Sequence, residues 1–340
     1  MSNTQGAFFR AVNPCVARLY TRLRHPRPLD FPRSVIIETT SRCNLQCPMC
    51  PRSRREKPGQ DMSWDLFRSL IDQVAQADAR DLVDLVALHG FGEPLLHPRL
   101  LEFIEYAGQR LPNVVRRGGL RDSMKGLNLS TNAVLLDEQM ALGLLDSRLT
   151  WLALSIDGTT RETYEAMRVG ACFEEVVANV ERLLALNLQH PHALPTIAVQ
   201  IIASRTTQPE FEEAVRRWRE LAGGAGNVRV ELKPFTDWAG QVDARPFREP
   251  DSRSDFLYLY CGHPSDTQVI QADGRMALCC YDVLGEEGLG DANVTPLGEL
   301  WRGQTLRGIR TLLSQGKAAA LPLCRNCAMG RKYPVDWLRR

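Results

Sequence analysis

SVIIETTSRCNLQCPMC, residues 34–50, sets a continuous apolar run directly before three cysteines. An apolar run without polar alternation fits a strand buried on both faces, as strands of a parallel sheet are. Five more runs rich in Val, Ile and Leu, mostly continuous and not alternating, follow: DLVALH (84–89), LNLS (127–130), WLALSI (151–156), TIAVQIIA (196–203) and VRVELKPF (228–235). Between them apolar residues recur at helical spacing, first as Trp64, Phe67, Leu70, Ile71 and Val74, later as Phe211, Ala214, Val215, Trp218 and Leu221 after Pro209. Six strand–helix units predict an α/β fold, a partial (β/α)6 TIM-type barrel over residues 34–240. Cysteines that follow the first strand then stand at the C-terminal mouth, where such barrels carry their sites.

Beyond residue 250 the alternation stops. TQVIQADGRMALCC (267–280) reads as a β-hairpin turning at Asp273-Gly274, a dipeptide that tolerates positive φ. The remainder carries cysteines and little apolar periodicity, which predicts short helices and loops that need a metal to fold. The expected division is an N-terminal extension (1–33), the barrel (34–240), a small cluster-binding domain with the β-hairpin (250–330) and a tail (331–340). The basic stretch 113–126 is expected to be a solvated loop before the third strand.

Lys and Arg number 42 against 40 Asp and Glu in 340 residues, a formal charge of +2. Such a balance gives no general attraction to nucleic acid or to an anionic membrane. No run approaches the roughly 18 apolar residues of a membrane span, and the N-terminus lacks the pattern of a secretory signal. The cytoplasm is therefore the expected compartment. In a reducing compartment the ten cysteines are expected to be ligands or catalytic groups rather than disulfides.

Their distribution is uneven: Cys43, Cys47 and Cys50 form one group, and Cys261, Cys279, Cys280, Cys324 and Cys327 another, with Cys15 and Cys172 apart. Three thiolates leave one iron of a 4Fe–4S cubane open, although spacing alone also allows a zinc site lacking its fourth ligand. The second group suits either a fully ligated 4Fe–4S cluster or a zinc ribbon.

CNLQCPMC (43–50) resembles the CxxxCxxC signature of the radical S-adenosylmethionine superfamily, and further elements follow at successive strand ends. GFGEP (90–94) is similar to the family's glycine-glycine-glutamate motif, which implies that Gly90, Gly92 and Glu93 hold the methionine amino group. STN (130–132) supplies Ser130 and Asn132; SIDG (155–158) supplies Ser155 and Asp157. The resemblance further implies that Arg168 pairs with the cofactor carboxylate and that Gln200 contacts the ribose. Met49 departs from the aromatic residue usual before the third cysteine; its thioether fills a similar space. The tail resembles the Twitch form of the SPASM domain, implying that Cys261, Cys279, Cys324 and Cys327 ligate a second 4Fe–4S cluster, with Cys280 an alternative to Cys279. Two 4Fe–4S clusters and S-adenosylmethionine are the cofactors so implied, with a flavodoxin- or ferredoxin-type protein as reductant.

The implied reaction begins with a 5′-deoxyadenosyl radical that takes hydrogen from a substrate. Relatives with full SPASM domains often modify peptides with the help of an N-terminal module, whereas only 33 residues precede the first strand here. The chain more closely resembles members acting on aminocyclitols, sugars or sugar nucleosides in antibiotic biosynthesis, such as the aminocyclitol dehydrogenase of butirosin and the cytosylglucuronate decarboxylase of blasticidin S. A small polyhydroxylated substrate is expected, with carbinol dehydrogenation the leading reaction. Alternatives are decarboxylation, with Lys233 or Arg121 binding a carboxylate, epimerisation with Cys280 or Cys172 as hydrogen donor, and an inactive cluster-binding scaffold. Lys233, Asp237 and His89, all at strand ends, are the candidate catalytic residues.

Overall fold

The computed structural model describes residues 29–56, 58–119, 122–190, 193–247, 256–258, 261–325, 327 and 332–334. Cys15, Arg121 and most of the N-terminal extension and of the tail lie outside the described residues. Each of the six apolar runs is a strand: β1 (Ser34–Ile37), β2 (Leu85–Ala87), β3 (Gly126–Thr131), β4 (Trp151–Ser155), β5 (Thr196–Ala203) and β6 (Val228–Pro234). They pair in parallel in chain order. The sheet ends at β6 without returning to β1, so the barrel is partial and open.

Helices α1 (Trp64–Asp78), α2 (Leu100–Arg110), α3 (Pro112–Arg117), α4 (Glu138–Leu145), α5 (Arg161–Met167), α6 (Phe173–Gln189) and α7 (Phe211–Leu221) lie between the strands in sequence. In α1 the Ser63 side chain accepts from the Leu66 amide, and Leu66, Phe67, Leu70, Ile71 and Val74 form the buried stripe. α7 begins at Phe211, so Pro209 precedes the helix instead of entering its first turn. Within the stretch expected to be a loop, α3 forms because Asp78, at the end of α1, accepts from the Asn113 amide at 3.0 Å and Val114 is buried. A cap supplied by a distant residue leaves no local signal.

The hairpin is present as β8 (Thr267–Ile270) and β9 (Met276–Ala277), with Gly274 at φ +94° in the turn. β7 (Phe256–Tyr258) pairs separately with β10 (Lys332–Pro334). The hairpin is not set apart from the barrel. β8 pairs in parallel with β1, from Ser34 opposite Thr267 to Ile37 opposite Ile270, and extends the same sheet to eight strands. The tail also contributes more apolar surface than expected. After α8 (His263–Asp266) come α9 (Leu297–Trp301) and α10 (Gln304–Ser314), which bury Leu297, Leu300, Trp301, Leu306, Ile309 and Leu313 in the same core as the barrel.

One buried carboxylate joins the three segments that meet above β1. Glu38 Oε1 accepts from Arg55 Nη1 at 3.0 Å and from the Phe91 amide at 2.9 Å, and Oε2 accepts from the Ala272 amide at 3.3 Å. Arg55 Nε also donates to the Val283 carbonyl at 2.9 Å. The Arg55 and Glu38 side chains are only 15% and 3% exposed. Glu38→Ala leaves a largely desolvated guanidinium without its partner, a change expected to cost about 3–5 kcal/mol. A denaturant midpoint on the cluster-loaded protein that stays within about 0.5 kcal/mol of wild type would show the pair to be dispensable.

Candidate active site

A cavity of about 760 Å3 opens at the C-terminal ends of the strands. The cysteine loop with Cys43, Cys47 and Cys50 forms one wall; His89, Gly90, Gly92 and Glu93 form the next; Ser130, Asn132, Ser155, Arg168, Gln200 and Lys233 complete the ring. Strands that are far apart in the sequence therefore bring most of the expected site residues to one place.

Burial pushes the Cys43 and Cys50 thiols up, and neighbouring Cys47 adds to it, against the opposing pull of arginine charge. Ligation by a metal removes that difficulty, because the cation replaces the proton. The glycines are sterically required. A Cβ on Gly92 would lie 1.9 Å from the Thr40 carbonyl oxygen, and one on Gly90 would lie 2.7 Å from Glu38 Cγ. With the Glu93 amide donating to the Arg42 carbonyl at 2.7 Å, the loop is pressed against the cysteine loop.

Glu93 is buried, and its carboxylate accepts from Thr131 Oγ1 (2.6 Å), the Asn132 amide (2.8 Å) and the Leu95 amide (3.1 Å). Three donors on four lone-pair sites leave one for a ligand. Burial pushes its carboxyl up and these donors hold it back. Asn132 holds the walls together: Nδ2 donates to Asn44 Oδ1 at 2.9 Å, and Oδ1 accepts from the Val134 amide. The hydroxyls of Ser130 and Ser155 line the cavity without a hydrogen bond among the described residues.

Two candidates stand elsewhere. Asp157 is fully buried and does not line the cavity; it accepts from Arg168 Nε at 2.7 Å and from the Ile202 amide at 2.6 Å, and so reaches the site through these two lining residues. Asp237 is buried between Thr236 and Trp238, which do line the cavity, and its carbonyl closes a turn by accepting from Gly240 and Val242. A side chain at a turn is placed by the turn and not by strand alternation, so the pattern of β6 does not extend to Asp237.

Lys233 Nζ meets Glu231 Oε2 at 2.7 Å, and Gln200 Nε2 donates to the same oxygen at 3.2 Å. Glu231 is absent from the residues expected at the site, although its place two residues before Lys233 puts both on one face of β6. His89 borders the cavity while its Nδ1 is sealed from solvent and lacks a hydrogen-bond partner among the described residues. Burial pushes its pKa down to about 4 against the Asn128 backbone, so the ring is neutral at pH 7. Trp238, at φ +52°, donates from Nε1 to the Met49 carbonyl at 2.8 Å and packs edge-on to Phe91 and Tyr281.

Tyr281 adjoins the second cysteine group. Cys261, Cys279, Cys280, Cys324 and Cys327 lie near enough to feel one another's charge. Burial first, and neighbouring thiols second, push Cys261 up to about 11 and Cys280 up to about 12. Both Cys279 and Cys280 stay within the group. A single zinc ion brings thiolates to about 3.8 Å from one another, given Zn–S bonds of about 2.3 Å. Among the described residues, three sulfurs lie mutually within 4.8 Å in neither cysteine group.

The Radical SAM superfamily profile matches residues 37–216, and the profile of SPASM, an iron–sulfur cluster-binding domain, matches residues 261–328. The chain belongs to the radical SAM superfamily, and S-adenosylmethionine and two iron–sulfur clusters are its cofactors. Among curated relatives, the tungsten-containing aldehyde ferredoxin oxidoreductase cofactor-modifying protein of Pyrococcus furiosus is 27% identical over 220 residues, 62% of this chain and 56% of that protein. The GTP 3′,8-cyclase of Chlorobaculum tepidum is 31% identical over 223 residues, 63% of this chain and 57% of that protein. The chain thus spans just over half the length of these relatives. Of solved structures, BtrN in complex with AdoMet and 2-DOIA superposes with a TM-score of 0.55 at 17% identity, over 87% of this chain and 92% of that one. Streptococcus suis SuiB bound to precursor peptide SuiA gives 0.60 at 15% identity, over 95% and 76%. At these identities the likeness shows the fold.

The reconstituted protein is expected to hold about eight irons, and the combined Cys43→Ala, Cys47→Ala and Cys50→Ala variant about half of that, with no 5′-deoxyadenosine formed. Iron and zinc analysis checks this; stoichiometric zinc in place of iron contradicts it. A second expectation concerns His89. Its folded pKa of about 4 lies below the usual 6.5, so between those values the unfolded chain binds a proton that the folded chain refuses. Stability is accordingly full above pH 6.5 and falls as pH drops through that window. Unfolding midpoints should decline less steeply in His89→Gln, and parallel curves for the two proteins would contradict the assignment.

Proposed function

We propose that the protein oxidises a carbinol of a small polyhydroxylated substrate, an aminocyclitol, sugar or sugar nucleoside, in natural-product biosynthesis. The observation that carries this reading is the Lys233 and Gln200 pair lining the β5–β6 side of the cavity, both held by Glu231 Oε2 behind them. An ammonium donor beside an amide that can both donate and accept matches the donor and acceptor demands of vicinal hydroxyls. Trp238 offers an apolar face for the C–H side of a ring. Of the structures similar in fold, BtrN was solved with AdoMet and 2-DOIA.

When bound, the first cluster with S-adenosylmethionine supplies hydrogen abstraction, and the second cluster supplies a one-electron acceptor. The chain's own part is to hold the substrate and exclude water. Ser130, Ser155 and Gln200 are the proposed cofactor contacts, with the Gly90–Glu93 loop at the methionine end. His89, neutral at pH 7, is available as a hydrogen-bonding group near the substrate hydroxyl. A flavodoxin- or ferredoxin-type reductant and a cytoplasmic setting complete the proposal; no described helix is long and apolar enough to cross a membrane.

Decarboxylation is less well supported, because the Lys233 charge is already engaged by Glu231. Epimerisation with Cys172 or Cys280 as donor meets the difficulty that neither lines the cavity. Cys172 instead donates to Glu174 at 3.5 Å, in front of α6.

Assays on a panel of aminocyclitols and sugar nucleosides should give ketone and 5′-deoxyadenosine in equal amounts. Lys233→Met, which loses a charge-assisted contact, should raise KM about tenfold or more. The Cys324→Ser, Cys327→Ser double variant, once shown to retain the first cluster, should form 5′-deoxyadenosine with little ketone. Release of carbon dioxide, or solvent deuterium in a product with no ketone, would replace this reading with one of the other two.

A further inference from the structure

Arg168 ends α5 with two of its nitrogens committed to one oxygen, Nε at 2.7 Å and Nη2 at 2.5 Å from Asp157 Oδ2. Asp157 is itself immobilised, fully buried and accepting through its other oxygen from the Ile202 amide of β5. This clamp fixes the plane of the guanidinium and leaves Nη1 free of Asp157. Nη1 lies 3.9 Å from Cys47 Sγ, within hydrogen-bonding reach of a sulfur. The side of the group away from the cavity is dry. Tyr164 packs beside the group with no exposed surface, and its hydroxyl has no hydrogen-bond partner among the described residues.

We propose that Arg168 sets the reduction potential of the first cluster by donating a hydrogen bond from Nη1 to the Cys47 sulfur. A donor to a cluster thiolate stabilises the reduced form, which carries one more negative charge, and so raises the potential. The Asp157 carboxylate balances the arginine charge overall, but it sits on the far side of the guanidinium. What the sulfur meets is the positive end of a fixed pair in a medium that screens poorly. An arginine guanidinium does not lose its proton in proteins, so the donor is present at any working pH.

This role does not compete with the expected contact to the cofactor carboxylate. Guanidinium carries five N–H donors; two point at Asp157 and one at Cys47, which leaves two for a ligand in the cavity. Nor does it depend on which substrate the protein takes, so it stands or falls separately from the proposed oxidation.

The test is a redox titration of the anaerobically reconstituted protein without S-adenosylmethionine, followed by electron paramagnetic resonance. Arg168→Met should lower the ratio of reduced to oxidised first cluster about tenfold at a fixed potential, a downward shift of about 59 mV for a one-electron couple. The second cluster serves as the internal reference and should titrate as in wild type. An unchanged first-cluster potential, with only cofactor affinity reduced, would overturn the proposal. If Arg168→Met does not load the first cluster, pulsed resonance on protein labelled with 15N-arginine, in an Arg52→Lys background, decides the question. A nitrogen coupling to the reduced first cluster is expected, and its absence refutes the hydrogen bond.

Discussion

The architecture above the sheet depends on the Glu38 carboxylate. It stands just past β1, the strand that the barrel and the hairpin share, and it binds a side chain and two backbone amides from three different segments. Arg55 belongs to the cysteine loop's continuation, Phe91 to the glycine loop, and Ala272 to the hairpin turn. An apolar residue of similar size would leave Arg55 and two amides without their shared acceptor. A single acid thus sets the relative placement of the cysteine loop, the proposed cofactor loop and the second cysteine group. The Trp238 indole braces the same region from the other side, touching Met49, Phe91 and Tyr281.

Much of this is legible in the amino-acid sequence. Strands buried on both faces announce themselves by nearly unbroken Val, Ile and Leu, as β1, β2, β4 and β5 do, whereas β6 is readable from Val228, Val230 and Leu232 alternating with charged residues. Cysteine spacing and the GFGEP loop mark the mouth, because tight geometry restricts which residues can stand there. Relations between distant residues are what the sequence does not display. Nothing near β1 says that Thr267–Ile270 will cover its outer edge, and nothing near Asn113 says that Asp78 will cap α3. The α10 stripe of Leu306, Ile309 and Leu313 does recur at helical spacing, but it stands in a tail whose cysteines point to a fold held by metal rather than by apolar packing.

Candidate residues divide along the same line. Those on strands, such as Ser155, Gln200 and Lys233, face the cavity because alternation dictates it. Asp157 and Asp237 lie just beyond strand ends, where alternation no longer applies, and each is turned into the protein. Asp157 nonetheless shapes the site, by holding Arg168 against the cysteine loop. A residue of that kind is visible only when its partner's position is known.

The pairing of β8 with β1 also has a history during synthesis. The two strands are more than 200 residues apart, and β1 emerges from the ribosome first. At about 5–20 residues per second, its outer edge waits on the order of 10 to 50 seconds for the partner that covers it. An uncovered apolar edge is a template for pairing with other chains. Chains cut short before residue 267 should therefore be prone to aggregation even when all six barrel strands are complete. Solubility of the nascent protein rests on a segment that takes no part in building the barrel itself.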